Sequence, residues 1–413
     1  MDKTILKQVI SEQKLIFEKK IKIIDRTIPA KVYSTNKIVV ITGIRRCGKS
    51  TLLRQISKKI KNYGYVNFED ERFLNFNFDD FNNLLECFLE KDTNTFFFDE
   101  IQNIYGWEKF VRRLFSEGYK IFVTGSNANL LSSEIATSLT GRNLKIELYP
   151  FSFKEYLSFK EFKIKKLLLT EDKAALSKFL KEYIKFGGFP EILHSKDFEE
   201  LNQIYQDVII KDLLVRQKIR DHKDFRELAL YILSNVSKRI SYNNLKKILN
   251  FSNTSKVKDY IEFLSEAYLV FELSKYDTSI KKQMINDRKV YAIDTGLINS
   301  TAFQFSENKG RLLENIVYLE LIRRKKEVYY YQDKCECDFI IREGRNLTQA
   351  IQVSVTLLDP KTRQREIKGL KEAMSQLKVK KGFIITLDQE DFVEGIQLIP
   401  VWKWLLDIKQ SKS

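Results

Sequence analysis

The stretch KIVVITGIRRCGKSTLLRQI, residues 37 to 56, decides the fold. Its opening, KIVVIT, is a short continuous apolar run of the kind that forms a strand buried on both faces. Its close, STLLRQI, has the apolar spacing of an amphipathic helix. Between them, Gly43-Ile44-Arg45-Arg46-Cys47-Gly48-Lys49-Ser50 fits G-x-x-x-x-G-K-[ST], and a strand before it with a helix after it is the context that pattern requires. The glycines let backbone N–H groups wrap a chain of phosphates, and the helix N-terminus adds a favourable partial charge. Lys49 then reaches the β and γ phosphates, Ser50 holds Mg²⁺, and Thr51 follows in the first helical turn. The expected ligands are ATP and Mg²⁺.

Thr95-Phe96-Phe97-Phe98-Asp99-Glu100 is an apolar strand ending in two carboxylates, the Walker B pattern. Two acids at the tip of a buried strand are common; following a phosphate loop, they acquire roles. Asp99 is placed for the Mg²⁺ shell, and Glu100 to polarise the attacking water as general base. The next strand ends in Thr124-Gly125-Ser126-Asn127, where Ser126 or Asn127 is the candidate hydrogen-bond partner of the γ-phosphate or the water, although polar residues at a strand end are also ordinary turn formers. Arg142 is a candidate arginine finger, because phosphoryl transfer needs positive charge beside the migrating group. Such an arginine usually comes from a neighbouring subunit, and a surface arginine is the competing reading. Arg45 and Arg46 either serve the phosphates or pair with acids such as Glu69 and Asp70.

Outward from this core the pattern divides the chain into a helical segment (1–36), an α/β phosphate-loop core (37–154), a helical lid (155–223), a winged helix (224–300) and a second α/β unit (301–413). In the core, short apolar strands alternate with amphipathic helices, including NLLSSEIATSL at 129–139, which implies a parallel sheet covered on both faces. The lid is mostly helical and broken by Gly187-Gly188-Phe189-Pro190. Residues 224–297 give helix, short helix, polar turn, third helix and extended segments, the winged-helix order, whose third helix can enter a major groove. From Arg311 the order is a helix, three strands, a helix and a strand.

With GIRRCGKS, FFFDEIQ, IFVTGS, LTGR, GGFPEIL and ECDFII in view, the chain resembles AAA-type ATPases of archaea and bacteria whose C-terminal half is a domain of unknown function, pairing a winged helix with a restriction-endonuclease-like fold. The resemblance spans residues 37 to 400. It implies an additional-strand P-loop ATPase core with sheet order 5-1-4-3-2, related by arrangement to signal-transducing ATPases. In the tail, the nuclease-like pattern of a helix Glu, a strand Asp and then E-x-K or Q-x-K falls on Glu314, Asp338 and Gln352. The lysine is absent, because position 354 is Ser. A nuclease-like fold without cleavage is therefore the expectation, since fold alone does not carry function.

Composition sets outer limits. The net charge of +16 is spread as +6, +6 and +4 over residues 1–150, 151–300 and 301–413, which permits nucleic-acid binding without pointing to a basic patch. Residues 224–276 carry only +2, with Lys256 and Lys258 the candidate phosphate contacts. Cys47, Cys87, Cys335 and Cys337 form no disulfide or zinc pattern, and only His194 and His222 could add imidazole. No apolar run reaches membrane-spanning length and the start lacks a signal-peptide core, so a cytoplasmic protein without membrane contact is expected. The expected activity is Mg²⁺-dependent ATP hydrolysis that switches the winged-helix and nuclease-like modules. Expected partners are ATP, DNA through the winged helix, and further copies of the chain. The competing expectations are a DNA-binding regulator that holds ATP with little hydrolysis, and an ATP-gated nuclease.

Overall fold

The continuous apolar runs become the central strands: β1 (Ile38–Thr42) and β3 (Thr95–Asp99) are buried at every residue. The computed structural model describes residues 1–128, 141–165, 167–301 and 309–408, which fall into two units, Met1–Tyr149 and Pro150–Ser413. The helix expected at 129–139 lies outside the described residues.

The first unit contains α1 (Lys3–Glu18), β1, α2 (Lys49–Ser57), β2 (Tyr63–Asn67), α3 (Asp80–Leu89), β3, α4 (Trp107–Ser116), β4 (Lys120–Gly125) and β5 (Asn143–Glu147). The five strands are parallel in the order β5-β1-β4-β3-β2, as the resemblance implied. The consequence for chemistry is direct. β4 lies between β1 and β3, so the loops leaving the carboxyl ends of these three strands are neighbours, the usual place for a ligand in such a sheet.

The triple phenylalanine of β3 shows how both faces are filled. Phe96 and Phe98 join Phe81, Phe110, Leu84 and Val111 in one cluster. Phe97 points the other way, as the period of two requires, and stacks on Phe122 with centroids 4.7 Å apart. The N-terminal helix belongs to this unit. It is capped by Asp2, whose side chain accepts from the N–H of Thr4 and Ile5, and it buries Leu6, Val9, Ile10 and Phe17. Gln13 exchanges two hydrogen bonds with the backbone of Asn67, at 2.9 and 3.1 Å, giving the edge strand β2 a side-chain partner.

The second unit opens with α5 (Phe153–Phe159), α6 (Thr170–Phe186) and α7 (Phe198–Asp207), followed by π-helical turns over Val208–Val215 that the sequence pattern did not reveal. Then come α8 (His222–Ser234), β6 (Arg239–Ile240), α9 (Tyr242–Ile248), α10 (Thr254–Glu266), β7 (Val270–Ser274), α11 (Ile280–Ile285) and β8 (Arg288–Ala292), with an antiparallel sheet β6-β8-β7. After α12 (Thr295–Thr301) and α13 (Lys309–Arg323) come β9 (Glu327–Gln332), β10 (Glu336–Glu343), β11 (Asn346–Ser354), α14 (Pro360–Gln376), β12 (Lys381–Thr386), β13 (Asp391–Val393), β14 (Ile396–Pro400) and α15 (Val401–Leu405). These strands form a mixed sheet in the order β13-β14-β12-β11-β10-β9. The hairpin β13–β14 extends the sheet beyond the strands read from the sequence.

The glycine pair at 187–188 has a physical reason. Buried Asp294 accepts from the N–H of Gly188 at 2.7 Å, Gly296 at 2.8 Å and Leu297 at 3.2 Å, tying that turn to the start of α12. Burial pushes its carboxyl up to about 6, against these three donors. Gly187 sits at φ 75°, and a Cβ there would fall 1.9 Å from an Asp294 oxygen. Gly344, at φ 62°, has open space around it. Urea unfolding should therefore show a loss of about 2–4 kcal/mol for Gly187→Ala, from backbone strain plus the clash, against about 1 kcal/mol for Gly344→Ala. Equal losses would contradict the clash.

Candidate functional site

The phosphate loop is held by close packing and by one borrowed arginine. A Cβ on Gly43 would lie 2.1 Å from the carbonyl oxygen of Leu148, so only glycine lets the loop leave β1 there. Gly48 precedes α2 in a left-handed conformation, φ 100° and ψ 29°, which turns the chain into the helix. Ile44 and Cys47 are fully buried, and the Arg26 guanidinium donates to the carbonyl oxygens of Cys47 at 2.8 Å and Tyr149 at 3.0 Å. Arg45 pairs with Glu69 at 2.5 Å, while Asp70 is taken by Arg72 and Gln13. Arg46 is exposed at φ 64°.

Lys49, Asp99 and Glu100 come together as the motif spacing anticipated. The Lys49 ammonium is 5% exposed and donates to the carbonyls of Gly43 at 3.2 Å and Ile44 at 3.4 Å, and it lies 3.1 Å from a Glu100 oxygen. Burial alone would lower the lysine pKa; the charge and hydrogen bond of Glu100, with Cys47 and Asp99 nearby, together outweigh it and hold the ammonium above its ordinary value. In the same way burial would raise Glu100, and Lys49, with Gln102 and Arg45, reverses this and keeps the carboxylate below its ordinary value. Asp99, fully buried, is raised by burial and then by the Glu100 charge. One Asp99 oxygen accepts from Thr124 Oγ1 and the other from the Tyr65 hydroxyl at 3.1 Å, and the Ser50 and Thr124 hydroxyls oppose the rise of its carboxyl. Glu100 follows the strand in a left-handed turn, φ 49° and ψ 43°, pinned by its own N–H donating to Thr124 Oγ1 at 2.9 Å.

Ser126 is buried and Asn127 half-buried just past β4, between the strands that carry the loop and the two acids. Thr51 is half-buried in α2. Arg142 does not reach this chain's own phosphate loop, as an arginine supplied to a neighbouring subunit would not. It precedes β5, which runs parallel to β1, so it lies at the opposite end of the sheet from the phosphate loop, about 16 Å away by strand rise. Its guanidinium sits over the Phe115 ring at 6.0 Å. The residues that sequence reasoning missed are Thr124, Tyr65, Gln102 and Arg26. Thr124 and Tyr65 carry a weak signal, being polar positions in buried strands, and Arg26 carries none.

In the second unit Glu314 of α13, Asp338 of β10 and Gln352 of β11 do meet. Gln352 accepts from the Asp338 N–H at 3.3 Å and donates to Glu366 at 2.6 Å, and Asp338 also accepts from the Val353 N–H at 3.0 Å. A lysine from outside the motif joins them. Lys289 of β8, 1% exposed, lies 2.9 Å from Asp338, 3.0 Å from Glu314 and 2.5 Å from Glu336. Burial opposes its charge, but Asp338 and Glu314 hold it well above the ordinary lysine value. Tyr291 donates to Glu314 at 2.7 Å. These acids line a cavity of about 700 Å³ together with Arg311, Lys334 and Arg365. The trio does not fit a resident metal: an ammonium already stands among the carboxylates, and among the described residues no group of three His, Cys, Asp or Glu is arranged to hold one. Ser354, where the lysine was expected, turns its hydroxyl to the Thr356 carbonyl at 3.1 Å. Cys337 is buried against the Ile351 carbonyl at 3.5 Å. Lys256, a candidate DNA contact, is engaged by Asp221 at 2.7 Å and Asp224 at 2.8 Å, and Lys258 lies over the Tyr242 ring at 5.5 Å. No helix among the described residues is long and apolar enough to cross a membrane.

Comparison with known proteins agrees with this geometry. Residues 35–157 match an AAA domain, and residues 177–308 and 309–404 match two domains of unknown function. The uncharacterised protein MJ1544 of Methanocaldococcus jannaschii is 41% identical, over 98% of this chain and 96% of that protein. An uncharacterised protein of Haemophilus influenzae is 29% identical, over 90% and 95%. Among solved structures, the Hsp104–ADP complex of Saccharomyces cerevisiae aligns with a TM-score of 0.31 at 12% identity, covering 57% of this chain and 37% of that one, a likeness too slight to carry an argument. The chain belongs to the family of MJ1544, and in it an AAA domain is followed by two domains of unknown function.

Thr124 is the polar residue on which both carboxylate positions rest. Thr124→Val keeps its shape but takes from Asp99 one of its two hydroxyl donors and leaves the Glu100 N–H without its Thr124 acceptor. Urea unfolding should show a loss of about 1–3 kcal/mol, the cost of buried groups left unpaired. A loss below about 0.5 kcal/mol would contradict the assignment.

Proposed function

We propose that this protein hydrolyses ATP to ADP and phosphate as a Mg²⁺-dependent switch, and that nucleotide state sets the conformation of its C-terminal modules. The observation that carries the reading is the buried contact between Lys49 and Glu100 at 3.1 Å, which places the phosphate-binding cation beside the candidate base. Backbone N–H groups from Gly43 to Ser50, with Ile44, Arg45, Arg46, Cys47 and Gly48 between, and Thr51 after them, form the cradle; Lys49 takes the β and γ phosphates. The Ser50 hydroxyl, close enough to oppose the rise of the Asp99 carboxyl, supports these two side chains as the Mg²⁺ holders, since both present hard oxygen donors. A bound Mg²⁺ would supply charge neutralisation for the phosphates. Glu100 accepts the proton of the attacking water, and Ser126 or Asn127 senses the γ-phosphate. Arg142 serves only across a homo-oligomer, where one copy's sheet edge meets the next copy's nucleotide.

The finer architecture belongs to the same proposal: a helical lid over 155–223, a winged helix over 224–300 and a restriction-endonuclease-like domain over 301–413. The helix order around the sheet β6-β8-β7 supports the second, and α13 with β9–β11, α14 and β12 supports the third. The pairing of Lys256 with two acids weighs against that lysine as a phosphate contact, so DNA is a partner only through other residues. The ammonium of Lys289 among Glu314, Glu336 and Asp338 supports a domain that does not cleave.

Lys49→Ala should abolish binding of a fluorescent ATP analogue. Glu100→Gln should retain ATP while turnover falls by about 10²–10⁴-fold. Unchanged turnover in both purified variants would overturn the assignment. Salt-sensitive DNA binding at saturating ATP with negligible turnover would replace it with a DNA-binding regulator.

Supercoiled plasmid incubated with the protein, ATP and either Mg²⁺ or Mn²⁺ should stay intact. Nicking that disappears in Asp338→Ala would contradict the non-cleaving domain and support an ATP-gated nuclease.

A further inference from the structure

Glu100 is gripped by a second side chain that the reading above leaves without a task. Gln102 is the middle residue of the short turn Ile101–Asn103 after β3, two residues beyond Glu100, and its Nε2 donates to the Glu100 oxygen not facing Lys49, at 2.5 Å. A carboxylate only accepts, so this bond fixes the orientation of the amide: the NH₂ faces Glu100, and Oε1 faces away. That Oε1 is buried and has no hydrogen-bond donor. An amide oxygen shut away from water without a donor costs about 1–3 kcal/mol, and a half-buried glutamine free to turn toward solvent would not pay it for nothing. Both Glu100 oxygens are thus occupied, by Lys49 on one and Gln102 on the other, and among the described residues the unsatisfied acceptor beside them belongs to Gln102.

We propose that Gln102 is a catalytic residue of ATP hydrolysis: its Nε2 holds the Glu100 carboxylate in place, and its Oε1 accepts a hydrogen bond from the water that Glu100 deprotonates. This rests on the ATPase reading given above. Water has two protons, and a single carboxylate fixes only one of them, leaving the attacking lone pair free to swing. Two acceptors on adjacent side chains fix both. The β and γ phosphates of a bound triphosphate compete for Lys49, and the Glu100 oxygen so released takes one water proton. The second proton stays on the water, held by Gln102 Oε1. The water oxygen forms its bond to the γ-phosphorus, the bond from that phosphorus to the bridging oxygen breaks, and ADP leaves with the electron pair. The transferred proton remains on Glu100 until phosphate departs. The αL turn at Glu100, pinned by Thr124, keeps residues 100 and 102 on one side of the strand end, which is why the spacing D-E-x-Q brings the amide back onto the acid.

The test uses the full chain with steady-state ATP turnover, ADP binding by calorimetry, and the pH dependence of kcat. Gln102→Leu should lower kcat by about 10–100-fold, the worth of one or two hydrogen bonds to a charged group, with KM for ATP and ADP affinity unchanged within about twofold. Because a donor to the carboxylate is gone, the acid limb of the kcat profile should move to higher pH, a shift that a merely structural role would not produce. Gln102→Glu keeps an acceptor but loses the donor and adds a like charge, so it should be as slow as Gln102→Leu. Gln102→Asn is the second variant should Leu fail to fold; being shorter by a methylene it should lie between Leu and wild type. Glu100→Gln is run beside them. Normal kcat in Gln102→Leu next to an inactive Glu100→Gln would overturn the role of Gln102 alone, as would loss of ADP affinity in parallel with kcat. Normal turnover in Glu100→Gln would overturn the hydrolysis reading itself.

Discussion

One buried ammonium organises the first unit's site. Lys49 lies almost out of reach of solvent, and a charge so placed is tolerable only if it is paired and hydrogen-bonded. Two loop carbonyls and the Glu100 carboxylate meet that need, and in doing so they set the phosphate loop, the end of β3 and the turn after it at fixed separations. The sheet order follows the same demand. Only with β4 inserted between β1 and β3 do the loop, the two acids and the polar end of β4 share one edge, and Thr124 from that inserted strand then holds both acids. Phe96, Phe97 and Phe98 fix the height of the acids by filling both faces beneath them.

Much of this was legible because it is local. A glycine-bracketed loop between a strand and a helix announces itself in eight residues, and an apolar strand ending in two acids in six. Even the parallel sheet follows from alternation of short strands with helices. What the sequence withheld is whatever depends on residues far apart along the chain. Arg26 braces the loop from a segment with no motif, and Gln13 reaches from α1 to the edge of β2. Which nucleotide Arg142 could serve was not legible either, because only the parallel run of β5 beside β1 puts it at the end of the sheet away from this chain's own phosphate loop. The π-helical turns at Val208–Val215 leave an apolar pattern indistinguishable from an α-helix at that length.

The second unit repeats the physical theme with a different result. Glu314, Asp338 and Gln352 gather as their order in the sequence suggested, but the lysine comes from β8, across 49 residues from Asp338, rather than from the strand of Gln352. No pattern search along one strand could have found it. Removing one partner of such a buried group leaves the others uncompensated, at about 3–5 kcal/mol, so Lys289 also joins the sheet β6-β8-β7 to the larger sheet. The same chemistry, a lysine among carboxylates, thus reads as a poised site in one unit and as a closed one in the other. The difference lies in what else is present: a glycine loop, a helix N-terminus and a strand-end hydroxyl in the first, a complete set of internal partners in the second.

The central claim is that a triphosphate binds where Lys49 now rests against Glu100. Calorimetric titration of the purified, folded chain with ATP in the presence of Mg²⁺ measures it most directly. The account predicts saturable binding of one nucleotide per chain. No detectable binding of adenine or guanine triphosphates would contradict it.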